Sequence, residues 1–254
     1  MGAIKQRAAF PQLGKTAGPT SIDTLGNDQL RELQIGLSLM GYGVGEIDGL
    51  IGRKTRNAWA EFKTRVLPGN PALIGAESVA AMRQRIDDIA QWENSDFSTK
   101  EGTIAAIKGM CRSLEIGLPA QVAYVLATAQ WESAQTFKPV REAFWLSEEW
   151  RKANLHYYPY YGRGYVQLTW KNNYKAYSDI LGVDMVTNLD LAMQPEIALF
   201  VLVHGFKVGT FTTRRITEFI NEHHTDFVGA RFCINGTDKA HEIAALAEKF
   251  LASL

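Results

Sequence analysis

Apolar residues recur at helical spacing in the N-terminal part of the chain. The segment LRELQIGLSLMGYG places Leu30, Leu33, Leu37 and Met40 on one face of a helix that begins near Asn27. A glycine follows directly, and glycine commonly ends helices because it adopts left-handed backbone angles without strain. The pattern therefore predicts an amphipathic helix with one buried face.

A glycine-rich loop, GYGVGEIDGLIG, separates this helix from a second periodic segment, KTRNAWAEFK. Its apolar face carries Ala58, Trp59 and Phe62, which we expect in a core rather than on a sugar-binding surface. A third helix near residues 77–86 would complete a small three-helix core. We interpret Asp48 in the loop as a turn residue and not as part of a calcium site, because the other oxygen ligands are absent.

Helical patterns also dominate the C-terminal part. The segment PAQVAYVLATAQW has the spacing of an amphipathic helix, whereas the run that begins at Pro195 is apolar on all sides, which is typical of a buried helix. Strand signals are few and short. Further helices are predicted at residues 103–114, 171–181, 213–223 and 238–252. The patterns predict a mainly α protein with a small three-helix domain and a larger helical, two-lobed domain that has a cleft between its lobes.

The polar stretches suggest where the domains begin and end. A length of 254 residues favours two domains over one. Residues 1–24 form a polar lead-in with little patterning, which we expect to be partly mobile. The three-helix domain would span residues 25–90, a linker residues 91–100 with the boundary near Asn94, and the larger domain residues 101–254.

Composition and charge exclude some functions. Apolar residues make up 46% of the chain, and 27 basic residues balance 27 acidic ones, so bulk charge gives no case for binding nucleic acid. The N-terminal segment lacks an apolar run long enough for a secretory signal, and no run is long enough to span a membrane. Cys111 and Cys233 lie far apart in sequence, so a disulfide framework is not expected. These features predict a protein made and kept in a reducing cytoplasm.

Two glutamates are candidates for acid–base chemistry. Glu132 continues the apolar face of its predicted helix, where a carboxyl group must be paired, protonated or exposed to a cleft. Glu142 lies beyond Pro139 in the polar segment PVREAFWLSEEW. Hydrolysis of a glycosidic bond uses one protonated and one ionised carboxyl group, and these two settings fit those roles. Spacing alone is weak evidence, because Glu132 could simply pair with an arginine at a helix end and Arg141 could be a salt-bridge partner of Glu142.

The segment YYGRGYVQLTW carries further candidates. Glycines on both sides of Arg163 would let the backbone approach a ligand closely. Residues 165–170 alternate like a short strand, which would point Gln167 and Thr169 the same way and let them hold a sugar group and a water. Tyr161 belongs to a tyrosine cluster that could serve equally as core or as a sugar platform. We include Tyr161 and Arg163 among the candidate substrate contacts.

Other reactive side chains are assigned structural roles. His204 lies in an apolar helix and is expected in the core, while the adjacent His223 and His224 would diverge on a helix and could not form a metal pair. Cys233 has no neighbouring base, and Ser133 lacks the glycine-flanked turn of a serine nucleophile. We therefore expect neither a metal site nor a cofactor.

Four motifs resemble, in order, those of family 19 glycoside hydrolases. They are WES around Glu132, GRGYVQLTWKNNY, LGVDMVTNLDLAMQPEIALF and the C-terminal INGT. The resemblance covers roughly residues 95–254 and is greater to the bacteriophage endolysin branch than to the plant chitinases. It implies Glu132 as general acid, Glu142 as general base, and Thr169 as the hydroxyl that holds the attacking water.

The same resemblance implies Gln167, Asn173 and Asn235 as sugar contacts. This chain departs from the usual HETGG motif around the acid, because Trp131 replaces the histidine and Ser133 and Ala134 replace the glycines. The disulfides of the plant enzymes are also missing.

The N-terminal helices resemble the peptidoglycan-binding domain of many wall hydrolases. The shared features are an LQ pair, GY, a D-G-x-x-G turn, and a threonine followed by an apolar helix, over residues 25–85. The groove beside the loop of residues 41–52 is the expected binding surface. Such a domain would raise the effective concentration of the catalytic domain at its polymer.

Together the resemblances imply a modular, lysozyme-like endolysin that hydrolyses peptidoglycan by an inverting mechanism. We expect a monomer whose partner is peptidoglycan, with no nucleic acid and no membrane insertion. A separate pore-forming protein would release it from the host bacterial cytoplasm to the periplasm and cell wall. A chitinase of the same fold and a non-catalytic wall-binding protein remain alternatives.

Overall fold

The computed structural model describes residues 2–16 and 18–254, and these fold into two compact units. The first comprises Met1–Gln91 with Asp179–Gly182, and the second comprises Trp92–Ser178 with Val183–Leu254. Both are mainly helical, as predicted, and none of the helices in the described ranges has the length and apolar character needed to cross a bilayer.

The described residues of the first unit form four α-helices and a two-stranded antiparallel sheet. The helices are α1 (Ala3–Arg7), α2 (Asn27–Leu39), α3 (Arg53–Val66) and α4 (Ala76–Ala90), and the strands are β1 (Thr20–Ser21) and β2 (Leu73–Ile74). The three predicted helices are confirmed as α2, α3 and α4. The predicted core residues Leu30, Leu33, Leu37, Trp59 and Phe62 are all at most 3% exposed.

The glycine-rich loop between α2 and α3 is ordered by side chains of the same unit. The Asp48 carboxylate accepts hydrogen bonds from the Leu50 amide and the Gln34 side chain, and the Gln34 oxygen accepts from Gly49 N. The hydrogen bond from Gln34, and then the one from the Leu50 amide, lowers the pKa of Asp48. Asp48 is therefore a turn residue, as predicted.

The N-terminal segment differs from the predicted mobile lead-in. Ile4, Phe10 and Leu13 are at most 1% exposed, and α1 packs on α4. The Glu32 carboxylate accepts hydrogen bonds from the backbone amides of Gln12 and Leu13. These partners are distant in sequence, so local patterning does not reveal them. Met1 and Ala17, which the predicted lead-in also includes, lie outside the described residues.

The second unit contains six α-helices and two antiparallel pairs of short strands. The helices are α5 (Lys100–Ser113), α6 (Pro119–Glu132), α7 (Glu148–Asn154), α8 (Lys171–Leu181), α9 (Pro195–Val208) and α10 (Ala240–Leu251). The strands are β3 (Val140–Arg141) paired with β4 (Arg163–Gly164), and β5 (Ile220–Asn221) paired with β6 (His224–Thr225).

Helix α6 is buried on all sides, in contrast to the amphipathic helix that its pattern predicted. Every residue from Gln121 to Ala129 is buried, and the helix packs against α5, α9 and α10. Helix α9 is buried as predicted. Glu132 is therefore the last residue of a helix that lies in the core of this unit.

The helix predicted at residues 213–223 is not formed. Thr213 has a φ of 70°, and only a short 3-10 turn, Ile216–Glu218, precedes the β5–β6 hairpin. The Asn221 side chain accepts a hydrogen bond from His223 N, which stabilises the turn between the strands. His223 and His224 are consequently exposed on a hairpin, not on a helix end.

The predicted linker, residues 91–100, is part of the folded structure. A 3-10 turn, Gln91–Asn94, follows α4, and the Trp92 indole donates a hydrogen bond to the Ser113 hydroxyl at 3.0 Å. Gly109 of α5 makes room for this ring, because a Cβ atom there would lie 2.1 Å from Trp92. Trp92 is thereby fixed to the second unit.

Replacing Gly109 with alanine is expected to destabilise the protein by about 1–3 kcal/mol, because the new methyl group displaces the Trp92 ring. Glycine-to-alanine changes inside helices ordinarily stabilise by about 0.5–1 kcal/mol, so the sign separates the two effects. Denaturant unfolding measures the change. Gly236→Ala is the control, since a Cβ there meets nothing within 4 Å. If Gly109→Ala is equally destabilising in a Trp92→Leu background, Trp92 is not the cause.

Candidate active site

A cleft of about 440 Å³ in the second unit brings most of the predicted site residues together. The lining includes both candidate acids and four predicted polar partners, together with residues that the sequence did not single out. The lining residues are Trp131, Glu132, Glu142, Tyr157, Val166, Gln167, Thr169, Trp170, Asn173, Phe211, Arg231, Ile234, Asn235 and Asp238.

Glu132 is the last residue of the buried helix α6, and a tight loop follows it. Ala134 and Gln135 have left-handed φ values of 50° and 71°, which glycine adopts more readily than other residues. The Ser133 hydroxyl accepts a hydrogen bond from Phe137 N and so stabilises this loop. Ser133 and Ala134 thus support a sharp turn without glycine, and Ser133 has a structural role.

The environment of Glu132 combines burial with one cation. Its side chain is 17% exposed, and Arg231 Nη1 donates a hydrogen bond to its Oε1 at 2.8 Å. Burial raises the pKa of Glu132 above its ordinary value of 4.5, although Arg231 acts in the opposite direction, and Asp238 adds to the rise. Glu132 is therefore paired with an arginine at the helix end. Burial has the larger effect on its pKa and favours the protonated form.

Glu142 follows strand β3 and is held by hydrogen bonds to both carboxylate oxygens. The Tyr157 hydroxyl donates to Oε1 at 2.6 Å, and the Gly162 amide donates to Oε2 at 2.9 Å. Burial, and then the adjacent carboxylate, raises the pKa of Tyr157, so the phenol stays a donor. Arg141 is not a partner of Glu142, because it forms an ion pair with Asp190 at 2.6 Å.

The segment after β4 is a tight turn and not the strand that its alternation predicted. Arg163 and Leu168 exchange backbone hydrogen bonds, and Gln167 between them has a φ of 56°. A Cβ atom on Gly162 would lie 2.7 Å from the Gln167 side-chain oxygen. This glycine therefore permits close approach of Gln167, whereas the sequence had suggested close approach of a ligand.

Gln167, Thr169 and Asn173 nevertheless all line the cleft. The Gln167 amide donates to Val140 O at 3.0 Å, and the Asn173 amide donates to Thr169 O at 2.9 Å. The Thr169 hydroxyl donates to Gln167 O at 2.8 Å. Since its proton is used within the protein, the Thr169 oxygen is oriented to accept a hydrogen bond from a molecule in the cleft.

Asn235 lies in the C-terminal part of the sequence and also lines the cleft. Its backbone amide donates to Arg231 O at 3.0 Å, and its side-chain oxygen accepts from Gly236 N at 3.0 Å. The segment that carries the predicted sugar contact thus also positions the partner of Glu132.

Tyr161 and Arg163 are buried and do not line the cleft, so their predicted contact with substrate does not fit the structure. They are 1% and 4% exposed, and the guanidinium lies 3.8 Å over the Tyr161 ring. Arg163 also pairs with Asp190 and donates to the Tyr174 hydroxyl. Tyr161 and Arg163 therefore stabilise the turn between Arg163 and Leu168 from inside the protein.

The remaining reactive side chains have structural settings. His204 is 2% exposed and lies 3.3 Å from the Tyr177 hydroxyl, which confirms it as a core histidine. Cys111 and Cys233 are free and buried, and burial raises the pKa of Cys233 to about 12, so its thiol stays protonated. Within residues 2–16 and 18–254, no group of three or more His, Cys, Asp or Glu side chains could hold a metal ion.

Arg231 and Tyr157 are the main residues that sequence reasoning missed. Each contacts one candidate acid, but Arg231 lies 99 positions from Glu132 and Tyr157 lies 15 from Glu142. The only signals were the position of Arg231 just before INGT and the place of Tyr157 in the tyrosine cluster. Trp170, 52% exposed, was missed because its alternation pattern suggested a strand.

Comparisons with known proteins give local and partial likenesses. No protein-family model matches the chain. Chitinase 11 and chitinase 8 of Oryza sativa subsp. japonica are 50% and 48% identical to it over 42 residues. Each match covers 16% of this chain and 16% of the relative, so the chain matches about a sixth of the length of these curated relatives.

Two solved structures are also similar in part. Chitinase C from Streptomyces griseus HUT6037 has a TM-score of 0.41 at 20% identity, covering 65% of this chain and 75% of that one. A mutant of chitinase C has a TM-score of 0.36 at 17% identity, covering 66% and 69%.

The raised pKa of Glu132 predicts a pH dependence of stability. Between 4.5 and the raised value the folded state holds a proton that the unfolded chain has released, so stability falls as pH rises through this window. The Glu132→Gln variant has no titrating carboxyl group at this position and so lacks this pH dependence. Denaturant unfolding of both proteins between about pH 4 and pH 8 should show the wild type losing stability relative to the variant. A wild type that gains relative stability would mean that Arg231 dominates over burial.

Proposed function

We propose that the protein is a glycoside hydrolase that cuts polymers containing N-acetylated amino sugars. The observation that carries the proposal is that two carboxyl groups in unlike settings line one cleft. Glu132 is buried with a raised pKa, whereas Glu142 accepts two hydrogen bonds. Hydrolysis of a glycosidic bond requires one acid and one base of this kind.

In the proposed reaction, Glu132 acts as the general acid. It gives its proton to the leaving oxygen as the bond between that oxygen and the sugar carbon breaks. Arg231, 2.8 Å away, then stabilises the carboxylate that remains. A cation beside a buried acid can in this way favour the product state of proton transfer without ionising the acid beforehand.

Glu142 acts as the general base on a water molecule. It removes one proton as the water oxygen attacks the sugar carbon from the face opposite the leaving group, which inverts the configuration. The Thr169 oxygen is placed to accept the second hydrogen bond of that water, because its own proton is donated to Gln167 O. Inversion requires the two carboxyl groups to be about 6.5–9.5 Å apart so that the water fits between Glu142 and the sugar.

Side chains elsewhere in the cleft would bind the sugar. Gln167, Asn173 and Asn235 supply polar groups, as the resemblance to family 19 hydrolases implies. Trp170 and Tyr157 have ring centroids 5.2 Å apart and offer aromatic surface for the CH groups of a pyranose.

For the polymer itself, we propose peptidoglycan. Support comes from the N-terminal unit, whose confirmed helices carry the residues that resemble a peptidoglycan-binding domain. We further propose that the protein is a monomeric bacteriophage endolysin, kept in the host cytoplasm until a pore-forming protein releases it to the wall. Chitin is the second candidate, because the curated relatives that match a stretch of the chain are named chitinases.

The first test compares purified peptidoglycan and chitin as substrates for the wild type and for Glu132→Gln. The wild type should release reducing ends from peptidoglycan, with the first product in the inverted anomeric form by NMR. Glu132→Gln should lower the rate by about a hundredfold to ten-thousandfold, because the leaving group loses its proton donor.

The outcomes of this test separate the alternatives. Reducing ends from chitin alone would replace peptidoglycan as the substrate. Binding to the wall without any reducing ends would overturn the hydrolase and favour a non-catalytic binding protein. A first product with retained configuration would contradict the single-displacement mechanism.

Tyr157→Phe is expected to lower kcat by about tenfold, because a hydrogen bond to a charged group is lost and Glu142 is held less firmly. Steady-state kinetics on the cleaved polymer measure the change. Tyr160→Phe is the matched control, since it removes a nearby hydroxyl whose bond, to Val186 O at 3.4 Å, is distant from Glu142. Equal losses in both variants would show that the Tyr157 hydroxyl has no specific role.

A further inference from the structure

Arg151 is a buried cation that the proposed acid–base chemistry does not use. It is 5% exposed and lies in the first turn of α7. Side chains of a helix tilt toward its N-terminus, so Arg151 reaches back to the residues that precede α7. Those residues belong to the segment that carries Glu142.

The guanidinium of Arg151 contacts the backbone around Glu142. Its Nε donates to the carbonyl oxygen of Glu142 at 2.8 Å, and its Nη2 donates to that of Ala143 at 3.0 Å. The remaining Nη1 donates to Glu148 Oε2 at 3.1 Å, and this carboxylate balances the positive charge. A planar guanidinium holds several acceptors in a fixed geometry. Arg151 thus fixes two consecutive carbonyl groups.

The backbone at Ala143 requires such support. Its φ is 47°, in the left-handed region that is unfavourable for a residue with a side chain. The Ala143 carbonyl oxygen also accepts from Leu146 N at 2.9 Å, which closes a turn before α7. The direction of the Glu142 side chain depends on the peptide group that follows it. Arg151 holds that peptide group through the Glu142 carbonyl oxygen.

Arg151 completes the set of contacts that hold Glu142. The Glu142 amide donates to Gly162 O at 2.7 Å, and the carboxylate accepts from Gly162 N and from the Tyr157 hydroxyl. These contacts hold the amide and the carboxylate, whereas Arg151 holds the carbonyl group. The carboxylate keeps both hydrogen bonds only while the Glu142 backbone stays in place, so losing the carbonyl contact should weaken them.

Tyr161 joins Arg151 to the turn that leads to Thr169. The Tyr161 hydroxyl donates to Glu148 Oε2 at 2.9 Å, the same oxygen that accepts from Arg151. The guanidinium carbon of Arg151 lies 5.4 Å from the centroid of the Tyr161 ring, and that of Arg163 lies 3.8 Å from it. Since Arg163 begins this turn, the segment of Arg151 and the turn are both fixed to one buried ring.

We propose that Arg151 is a positioning residue that acts through Glu142. It holds the Glu142 carbonyl group and so keeps the carboxylate on Tyr157 and Gly162, where it accepts a proton from the attacking water. This rests on the proposed function, in which Glu142 is the general base. Arg151 should contribute to kcat and not to substrate binding, because it does not line the cleft.

The first measurement, hydrogen exchange of the full-length protein by NMR, does not depend on catalysis. The Ala127 amide, in the buried middle of α6, reports general destabilisation. In Arg151→Met, exchange of the Gly162 amide should accelerate at least about tenfold more than that of Ala127, because its carboxylate acceptor is held less firmly. Lys152→Met is the matched control, since Lys152 is an exposed cation of the same helix.

The second measurement is the steady-state kinetics of polymer cleavage. Arg151→Met should lower kcat about tenfold to a hundredfold and change KM less than about twofold, because a charge-assisted contact to the base segment is lost. In a Glu142→Gln background the same change should cost less than about twofold, because residues that act as a unit give non-additive losses. Lys152→Met should leave kcat unchanged in both backgrounds.

Three outcomes would overturn the proposal. These are equal acceleration of exchange at Gly162 and Ala127, a loss in KM rather than in kcat, and an undiminished loss in the Glu142→Gln background. Should Arg151→Met fail to fold, Arg151→Lys is read in the same way with smaller effects, since an ammonium group does not hold both carbonyl groups in a fixed geometry.

Failure of the proposed function would look different. A wild type that releases no reducing ends would overturn the hydrolase and with it the role of Arg151 in catalysis. Faster exchange confined to Gly162 in Arg151→Met would still show that Arg151 holds Glu142 in place.

Discussion

Placing a carboxyl group at the end of a helix whose middle is buried on all sides is the constraint on which the second unit depends. Glu132 ends α6, and α6 lies within a shell formed by α5, α9 and α10. The middle of the helix is buried, and the side chain of Glu132 at its end lines the cleft. The same burial that raises the pKa of Glu132 thus comes from the packing that stabilises the unit.

Two buried arginines have different roles in the second unit. Arg231 pairs with Glu132, and Arg163 lies under the turn that carries Gln167 and Thr169. Arg163 is satisfied by Asp190, by backbone oxygens and by the Tyr174 hydroxyl, so it fixes the turn rather than facing a ligand. Arg231 therefore affects the pKa of Glu132, whereas Arg163 stabilises the backbone of the turn that carries Gln167.

The sequence by itself determined the helices with strong local signals. Periodic apolar residues and flanking proline or glycine predicted α2, α3, α4, α8 and α9, because these signals act within a few turns of one helix. The sequence also identified Glu132, Glu142, Gln167, Thr169, Asn173 and Asn235, which all line the cleft. In those cases residue type and motif order carried the information.

Only the tertiary structure decided which residues contact one another. The partner of Glu132 is 99 positions away, and the N-terminal segment is anchored through Glu32, so neither contact leaves a local pattern. Alternation around Gln167 suggested a strand, yet the hydrogen bonds between Arg163 and Leu168 close a turn there. Local periodicity reports which side of a segment is buried, whereas the identity of its neighbours depends on packing between distant parts of the chain.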